Sequence, residues 1–139
     1  MAAQVAVKKL LEQGLAPRIL GMLKSEVLIT ARLVHPRLVR LVGACLDPPD
    51  MCLVLEFVEH GSLRDLLDRE DAPARLPLPR RLQIALDMVD GLMFMHAHGL
   101  LHRDLKAGNV LVDADHRGKL SDFGFAALKE DIRCCARRS

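Results

Sequence analysis

The chain has 139 residues, of which 50% are hydrophobic and 27% are charged, and its formal net charge is +2 at pH 7. This length predicts one domain with an apolar core, and the composition excludes a disordered chain. The small net charge gives no reason to expect a nucleic-acid partner, and no apolar run reaches the ~18 residues of a membrane span. The four cysteines form no paired C-x-x-C units and no secretory h-region opens the chain, which predicts a cytoplasmic protein without a zinc site.

The first third of the chain predicts a strand, a helix and two further strands. Alternating, valine-rich residues 4–11 are typical of a strand. Apolar residues at steps of three and four predict an amphipathic helix over residues 18–34, which His35 and Pro36 end. The short apolar runs 38–46 and 51–58, separated by "DPPD", predict two antiparallel strands joined by a turn.

The remainder of the chain predicts mostly helices. Ser62 and Asp65 have the spacing of a capping box, and three prolines predict a loop over residues 70–79. A helix from Pro79 to Gly99 follows, with a single apolar stripe along it. Residues 110–112 and the segment after Gly118 predict two short strands. Because strands come first and helices later, the fold class predicted is α+β.

Three short motifs occur in one order: "VAVK" at residues 5–8, "HRDLKAGN" at 102–109 and "DFG" at 122–124. Together they resemble the signature set of the protein-kinase family. The resemblance implies a partial bilobal kinase fold, with part of the small lobe over residues 1–58 and the start of the large lobe over 59–139. It also implies ATP- and Mg²⁺-dependent transfer of the γ-phosphoryl group to a protein Ser/Thr hydroxyl.

The resemblance assigns roles to individual residues. Lys8 would contact the α- and β-phosphates and pair with Glu26 on the following helix. Asp104 would accept or orient the proton of the substrate hydroxyl, and Lys106 would reach the γ-phosphate, as in serine/threonine kinases. Asn109 and Asp122 are the implied ligands of Mg²⁺, a cation that prefers oxygen. Ordinary surface pairs and turn residues remain the alternative interpretation of the same side chains.

The segment "LEFVEHGS" resembles the kinase hinge, whose backbone binds the adenine. By this resemblance the backbone between Glu56 and Val58 would pair with the base, and Ala6 and Leu111 would enclose the ring. Asp65 stands at the ribose-contacting position, which is compatible with its capping role. Plain core packing stays open for Ala6 and Leu111.

Other features bear on activity. The sequence contains no G-x-G-x-x-G loop and no A-P-E motif, so we expect a polypeptide of these residues alone to be poorly stable and to have little kinase activity. Residues 124–138 include no Ser, Thr or Tyr, and Thr30 stands where the resemblance implies a bulky apolar residue. The alternative to an enzyme is a catalytically incompetent, pseudokinase-like binding module.

Overall fold

The computed structural model describes residues 4–10 and 17–123, which cluster in two units. The first unit contains residues 4–10, 17–34 and 40–57, and the second contains residues 35–39 and 58–123. Each unit combines helical structure, a single described helix in the first, with a small antiparallel sheet, which confirms the α+β fold class. Within the described residues, no helix is both long and apolar enough to cross a bilayer.

The sheet of the first unit has three strands: β1 (Val5–Lys9), β2 (Leu41–Cys45) and β3 (Cys52–Glu56). β3 lies in the centre and pairs antiparallel with β1 on one side and with β2 on the other. The predicted antiparallel pair on either side of "DPPD" is therefore confirmed. An irregularity between Leu41 and Gly43 shifts the register of β2.

Helix α1 (Pro17–Arg32) supplies the other half of the first unit's core. Its buried residues Leu23 and Val27 form one apolar cluster with Leu41, Met51 and Leu53 of the sheet layer. Burying a leucine side chain contributes about 1.5–3 kcal/mol, so this cluster is the main source of stability in the unit. The helix ends before Pro36, as the sequence predicts.

The second unit begins with two short helices, α2 (Leu63–Leu67) and α3 (Ala72–Arg75). Ser62 caps α2: its Oγ accepts from the Asp65 N–H at 3.1 Å and its hydroxyl donates to Asp65 Oδ2 at 2.7 Å. The predicted loop over residues 70–79 is wrong in part, since it contains α3. This turn of helix is supported by an ion pair between Asp71 and Arg75, four positions apart, rather than by apolar periodicity.

Helix α4 (Leu78–Ala97) is the longest element and has two opposite faces. One face is buried, and it carries Ile84, Asp87, Gly91 and Met95. The other face is the apolar stripe that the sequence predicts, and it is exposed. Its large side chains are 52–67% accessible: Leu78, Leu82, Leu86, Val89 and Met93.

The hairpin of β4 (Val110–Val112) and β5 (Gly118–Leu120) packs against the buried face of α4. On its other edge β5 meets residues 37–39: the Val39 N–H donates to Leu120 O, and the Leu120 N–H donates to Arg37 O, each at 2.8 Å. Gly91 of α4 allows this close packing, because a Cβ there would lie 3.1 Å from Arg37 O. β5 is thus held on three sides.

Candidate active site in the second unit

The segment from His102 to Asn109 folds so that an acid, an amide and an amine come together. The Asn109 side-chain amide donates to the backbone oxygen of Asp104 at 2.8 Å and to its Oδ2 at 3.0 Å. Lys106 Nζ lies 3.6 Å from the same Oδ2. The structure therefore brings three predicted site residues, Asp104, Lys106 and Asn109, into one cluster.

His102 and Ser121 connect this cluster to the segment that carries Asp122. The buried His102 ring contacts Ser121 O through Nε2 at 2.9 Å, and its Nδ1 accepts from the Asp104 N–H at 3.3 Å. A neutral ring with its proton on Nε2 satisfies both contacts. The Ser121 N–H and hydroxyl donate to Asn109 O at 2.9 and 3.1 Å. The backbone next to Asp122 is thereby fixed relative to Asn109.

Two residues of this region have left-handed backbone conformations. The φ angles are 62° at Arg103 and 58° at Asp122, and both lie where a side chain carries a steric cost. Residues other than glycine that are held in the left-handed conformation occur often at functional sites.

A buried carboxylate at the middle of α4 holds the start of β5. Asp87 is 2% exposed and accepts from the Gly118 N–H at 2.8 Å. Arg117 contacts both carboxylate oxygens, with Nη2 at 2.6 Å from Oδ1 and Nε at 3.0 Å from Oδ2. Arg37 Nη1 lies 3.5 Å from Oδ2, and Gln83 donates to Oδ1 at 3.2 Å. We call Asp87 with these four partners the Asp87 network.

The Asp87 network determines the protonation of its acid. Burial raises the pKa of Asp87, whereas hydrogen bonds from Arg117, Gly118 and Gln83 lower it. The lowering effects together are larger, so the pKa lies below the ordinary 3.8. The bond to Asp87 in turn raises the pKa of Arg117. The pair is therefore fully charged at neutral pH. Sequence reasoning missed it, since Arg117 and Gly118 lie 30 and 31 positions from Asp87 and no local pattern indicates their contact.

The side chains available to a metal are oxygen donors. Both described bonds of the Asn109 side chain use its nitrogen, and no described residue donates to its Oδ1. This leaves an acceptor oxygen for a cation, which fits Mg²⁺ and does not fit a thiophilic metal. In the described part of the chain, no three His, Cys, Asp or Glu side chains group as metal ligands. The oxygen donors predicted for a metal are the Asn109 amide and the Asp122 carboxylate.

Four predicted site residues lie in the first unit. Lys8 is half-buried on β1 opposite Leu53, and Ala6 is exposed on the same strand. Glu26 is half-buried on α1 and forms no ion pair with a described residue. The structure therefore does not show it paired with Lys8, and that role stays a prediction. At the end of β3, the Glu56 N–H donates to Arg40 O at 3.0 Å and its Oε1 accepts from the Arg40 N–H at 2.8 Å.

The remaining predicted nucleotide contacts lie in the second unit. Val58 is buried, and its carbonyl accepts from the Gly61 N–H at 3.3 Å. Leu111 is half-buried on β4 and forms a bridge with Ser62, the residue that caps α2. Asp65 lies in the first turn of α2, where its capping role is observed. Their contacts with a nucleotide stay predictions.

Comparison with known proteins identifies the family of this chain. A family model described as protein tyrosine and serine/threonine kinase matches residues 1–137. This chain belongs to that protein-kinase family.

Individual relatives agree with this assignment. The chain is 38% identical over 110 residues to the serine/threonine/tyrosine-protein kinase HT1 of Arabidopsis thaliana, an alignment covering 79% of this chain and 28% of that protein. It is 39% identical over 129 residues to the serine/threonine-protein kinase CTR1 of the same plant, covering 91% and 16%. It is 35% identical over 126 residues to the kinase STY46, covering 91% and 22%. The chain spans less than a third of these relatives.

Proposed function

We propose that this chain is part of the catalytic domain of a serine/threonine protein kinase, which transfers the γ-phosphoryl group of ATP to a protein hydroxyl. The observation that carries the proposal is the cluster in which Asn109 holds the Asp104 carboxylate while Lys106 lies beside it. We keep residues 1–58 and 59–139 as the proposed small- and large-lobe parts. A cytoplasmic location is also proposed, since a reducing compartment keeps thiols such as those of Cys45 and Cys52 free.

Asp104 is the proposed proton acceptor for the substrate hydroxyl. Its carboxylate is fixed by the Asn109 amide, and its backbone N–H is fixed by His102, so the acid is oriented before a substrate arrives. A positioned base of this kind contributes about 10²–10⁴ in rate. Lys106 supplies a positive charge next to it, where negative charge accumulates during phosphoryl transfer.

Asn109, through Oδ1, and the Asp122 carboxylate are the residues proposed to hold Mg²⁺. When bound, the metal would neutralise phosphate charge. Ser121 fixes the backbone between these two ligands through its bonds to Asn109 O. Lys8 is proposed to contact the phosphates, and Glu26 to orient Lys8. The backbone at Glu56 and Val58, with Ala6, Leu111 and Asp65, is proposed to bind the nucleoside.

Metal-dependent nucleotide binding tests this proposal on the chain itself. Mg²⁺ with ATP should raise the melting temperature, because a ligand that binds only the folded state stabilises it by about 2.7 kcal/mol at 100 times its Kd. Asp122→Asn and Asn109→Ala should abolish the part of the rise that depends on Mg²⁺. Asp115→Asn is the matched control, because Asp115 is an exposed carboxylate in the turn between β4 and β5. Equal losses in the control and the site variants would refute the assignment.

The second candidate function is an interaction module without turnover. It is favoured by the exposed stripe of α4, since large contiguous apolar surfaces mark sites of protein contact. This candidate is compatible with nucleotide binding but not with catalysis.

Phosphoryl transfer separates the two candidates. Radiolabelled ATP, Mg²⁺ and peptides with a single Ser, Thr or Tyr distinguish the hydroxyl class as well. Asp104→Asn should retain nucleotide binding and lose about 10²–10⁴ in rate if Asp104 acts as the base. We expect low turnover from the 139-residue polypeptide by itself, and turnover unaffected by Asp104→Asn would contradict its catalytic role.

A further inference from the structure

Two cysteines lie opposite each other on neighbouring strands in the sheet of the first unit. Cys45 is the last residue of β2 and Cys52 the first residue of β3, and the antiparallel register pairs them directly. Both are free thiols and half-buried. Directly paired residues project their side chains on the same face of a sheet, so the two thiols are neighbours.

The pairing distance suits a covalent bond. Opposite residues in an antiparallel ladder have Cα atoms about 4.5–5.5 Å apart. Disulfides usually span Cα separations of about 4.4–6.8 Å. A bond between Cys45 and Cys52 therefore needs side-chain rotation, not a new arrangement of the strands.

The described hydrogen-bond contacts of the two thiols place little restraint on that rotation. Cys45 Sγ lies 4.0 Å from Asp47 O, which is a weak contact because a thiol is a poor donor. Both residues are partly exposed to solvent, so a small oxidant can reach this end of the sheet. The short connection of residues 46–51 keeps the two strands joined at this end of the sheet.

We propose that Cys45 and Cys52 are a modification site: they form a reversible intramolecular disulfide when a hydroperoxide oxidises the protein. The thiolate of one cysteine attacks the peroxide, becomes a sulfenic acid and releases water or an alcohol. The second thiol attacks the sulfenyl sulfur, the S–S bond forms and a water leaves. Two electrons pass from the sulfurs to the peroxide, and a thiol reductant returns them by exchange.

The bond would join the edge strand β2 to the central strand β3. It closes a short loop, so it should raise the melting temperature of the oxidised chain modestly. This effect does not depend on nucleotide binding or catalysis. A failure of the proposed disulfide would therefore leave the proposed kinase function unaffected, and the reverse holds as well.

Peptide mapping after peroxide treatment tests the site directly. Every variant carries Cys134→Ser and Cys135→Ser, which removes the two cysteines that lie outside the described residues. Hydrogen peroxide is added to the folded chain, and remaining thiols are blocked with N-ethylmaleimide. Cleavage before Asp47 or Asp50 places the cysteines on different peptides, so a linked pair is diagnostic. We expect this linked pair, its loss with dithiothreitol, and a higher melting temperature before reduction.

A register-shifted variant is the matched control. Cys45→Ser with Ala44→Cys places the thiol on a residue paired with Leu53, on the opposite face from Cys52, with almost the same loop length. We expect the disulfide to form at least about tenfold more slowly in this variant, which corresponds to about 1.4 kcal/mol in activation free energy. Equal closure rates would show that the bond forms from unfolded chain and would overturn the proposal. Disulfides only between chains, or two thiols that remain blockable, would overturn it as well.

Discussion

The two units differ in whether their buried polar side chains have hydrogen-bond partners. In the second unit, the buried carboxylate of Asp87 has four partners, and His102, Asn109 and Ser121 all form hydrogen bonds. In the first unit, the apolar cluster around Leu23 carries the stability, and the buried Thr30 hydroxyl has no hydrogen-bond partner among the described residues. Apolar packing is non-directional, whereas hydrogen bonds fix angles and distances. The unit that holds Asp104, Lys106 and Asn109 is the one whose buried polar side chains are fixed by hydrogen bonds.

Removing the Asp87 carboxylate should have the largest effect. Asp87→Ala leaves the Arg117 and Arg37 charges without their partner and the Gly118 N–H unsatisfied, so we expect a loss of about 3–5 kcal/mol in the free energy of unfolding. Urea unfolding followed by circular dichroism measures it, since the chain has no Trp or Tyr. Asp90→Ala, on the same helix with a carboxylate 64% exposed, is the control and should cost less than about 1 kcal/mol.

Hydrogen exchange in the same variant sharpens the comparison. Amides of β5 should exchange faster in Asp87→Ala, while those of β3 in the first unit should change little. Equally faster amide exchange in both strands would mean that the two units unfold together. The difference between the units in hydrogen bonding would then not correspond to a difference in stability.

The apolar cluster of the first unit should respond to loss of volume. Leu23→Ala removes most of a side chain that is 2% exposed, and we expect a loss of about 3 kcal/mol from lost burial and the remaining cavity. Leu28→Ala, on the same helix but 63% exposed, should stay within about 0.5 kcal/mol of the parent. Similar losses in both variants would argue against the core position of Leu23.

A smaller effect of opposite sign is expected at Thr30. Thr30→Val keeps the branched shape and removes a buried hydroxyl without a described partner, so stability should rise by about 1 kcal/mol. Thr30→Ser is the control, because it keeps the hydroxyl and loses the methyl group, and it should lower stability. Destabilisation by Thr30→Val would show that the hydroxyl has a partner in solution.

The smallest effect is a dependence on pH. Because the pKa of Asp87 in the folded chain is lowered below the ordinary 3.8, its contribution is complete above that value and is lost as the pH falls through the folded-state pKa. The difference in melting temperature between the parent and Asp87→Asn should therefore narrow as the pH falls below the ordinary value of 3.8. Asp90→Asn should show no such narrowing. A constant difference for Asp87→Asn would contradict the lowered pKa.

The sequence predicts most of the fold, because its signals are local. Proline and glycine mark the ends of α1 and α4, and Ser62 with Asp65 marks the start of α2. α3 was missed because it depends on charge pairs around Asp71 instead of apolar spacing. The central position of β3 arises from contacts between distant segments, and no local pattern encodes it.

The residues of the candidate site also differ in whether a local pattern in the sequence predicts them. Asp104, Lys106 and Asn109 were predicted together because they fall within one short motif, and their side chains lie close together in the structure. Asp87 and Ser121 were not predicted as supports of this site. Their role depends on partners such as Gly118, which lies 31 positions from Asp87 and shows no sign of the contact in its own sequence context.

The left-handed residues Arg103 and Asp122 have a consequence for protein engineering. This conformation costs roughly 1–2 kcal/mol relative to glycine for an ordinary residue such as Arg103 and less for an aspartate, so glycine would relieve backbone strain at both positions. A library of variants sorted only by heat resistance would therefore tend to discard the aspartate proposed to hold the metal. Sorting for nucleotide binding as well would keep it, and the two selections would diverge first at these two positions.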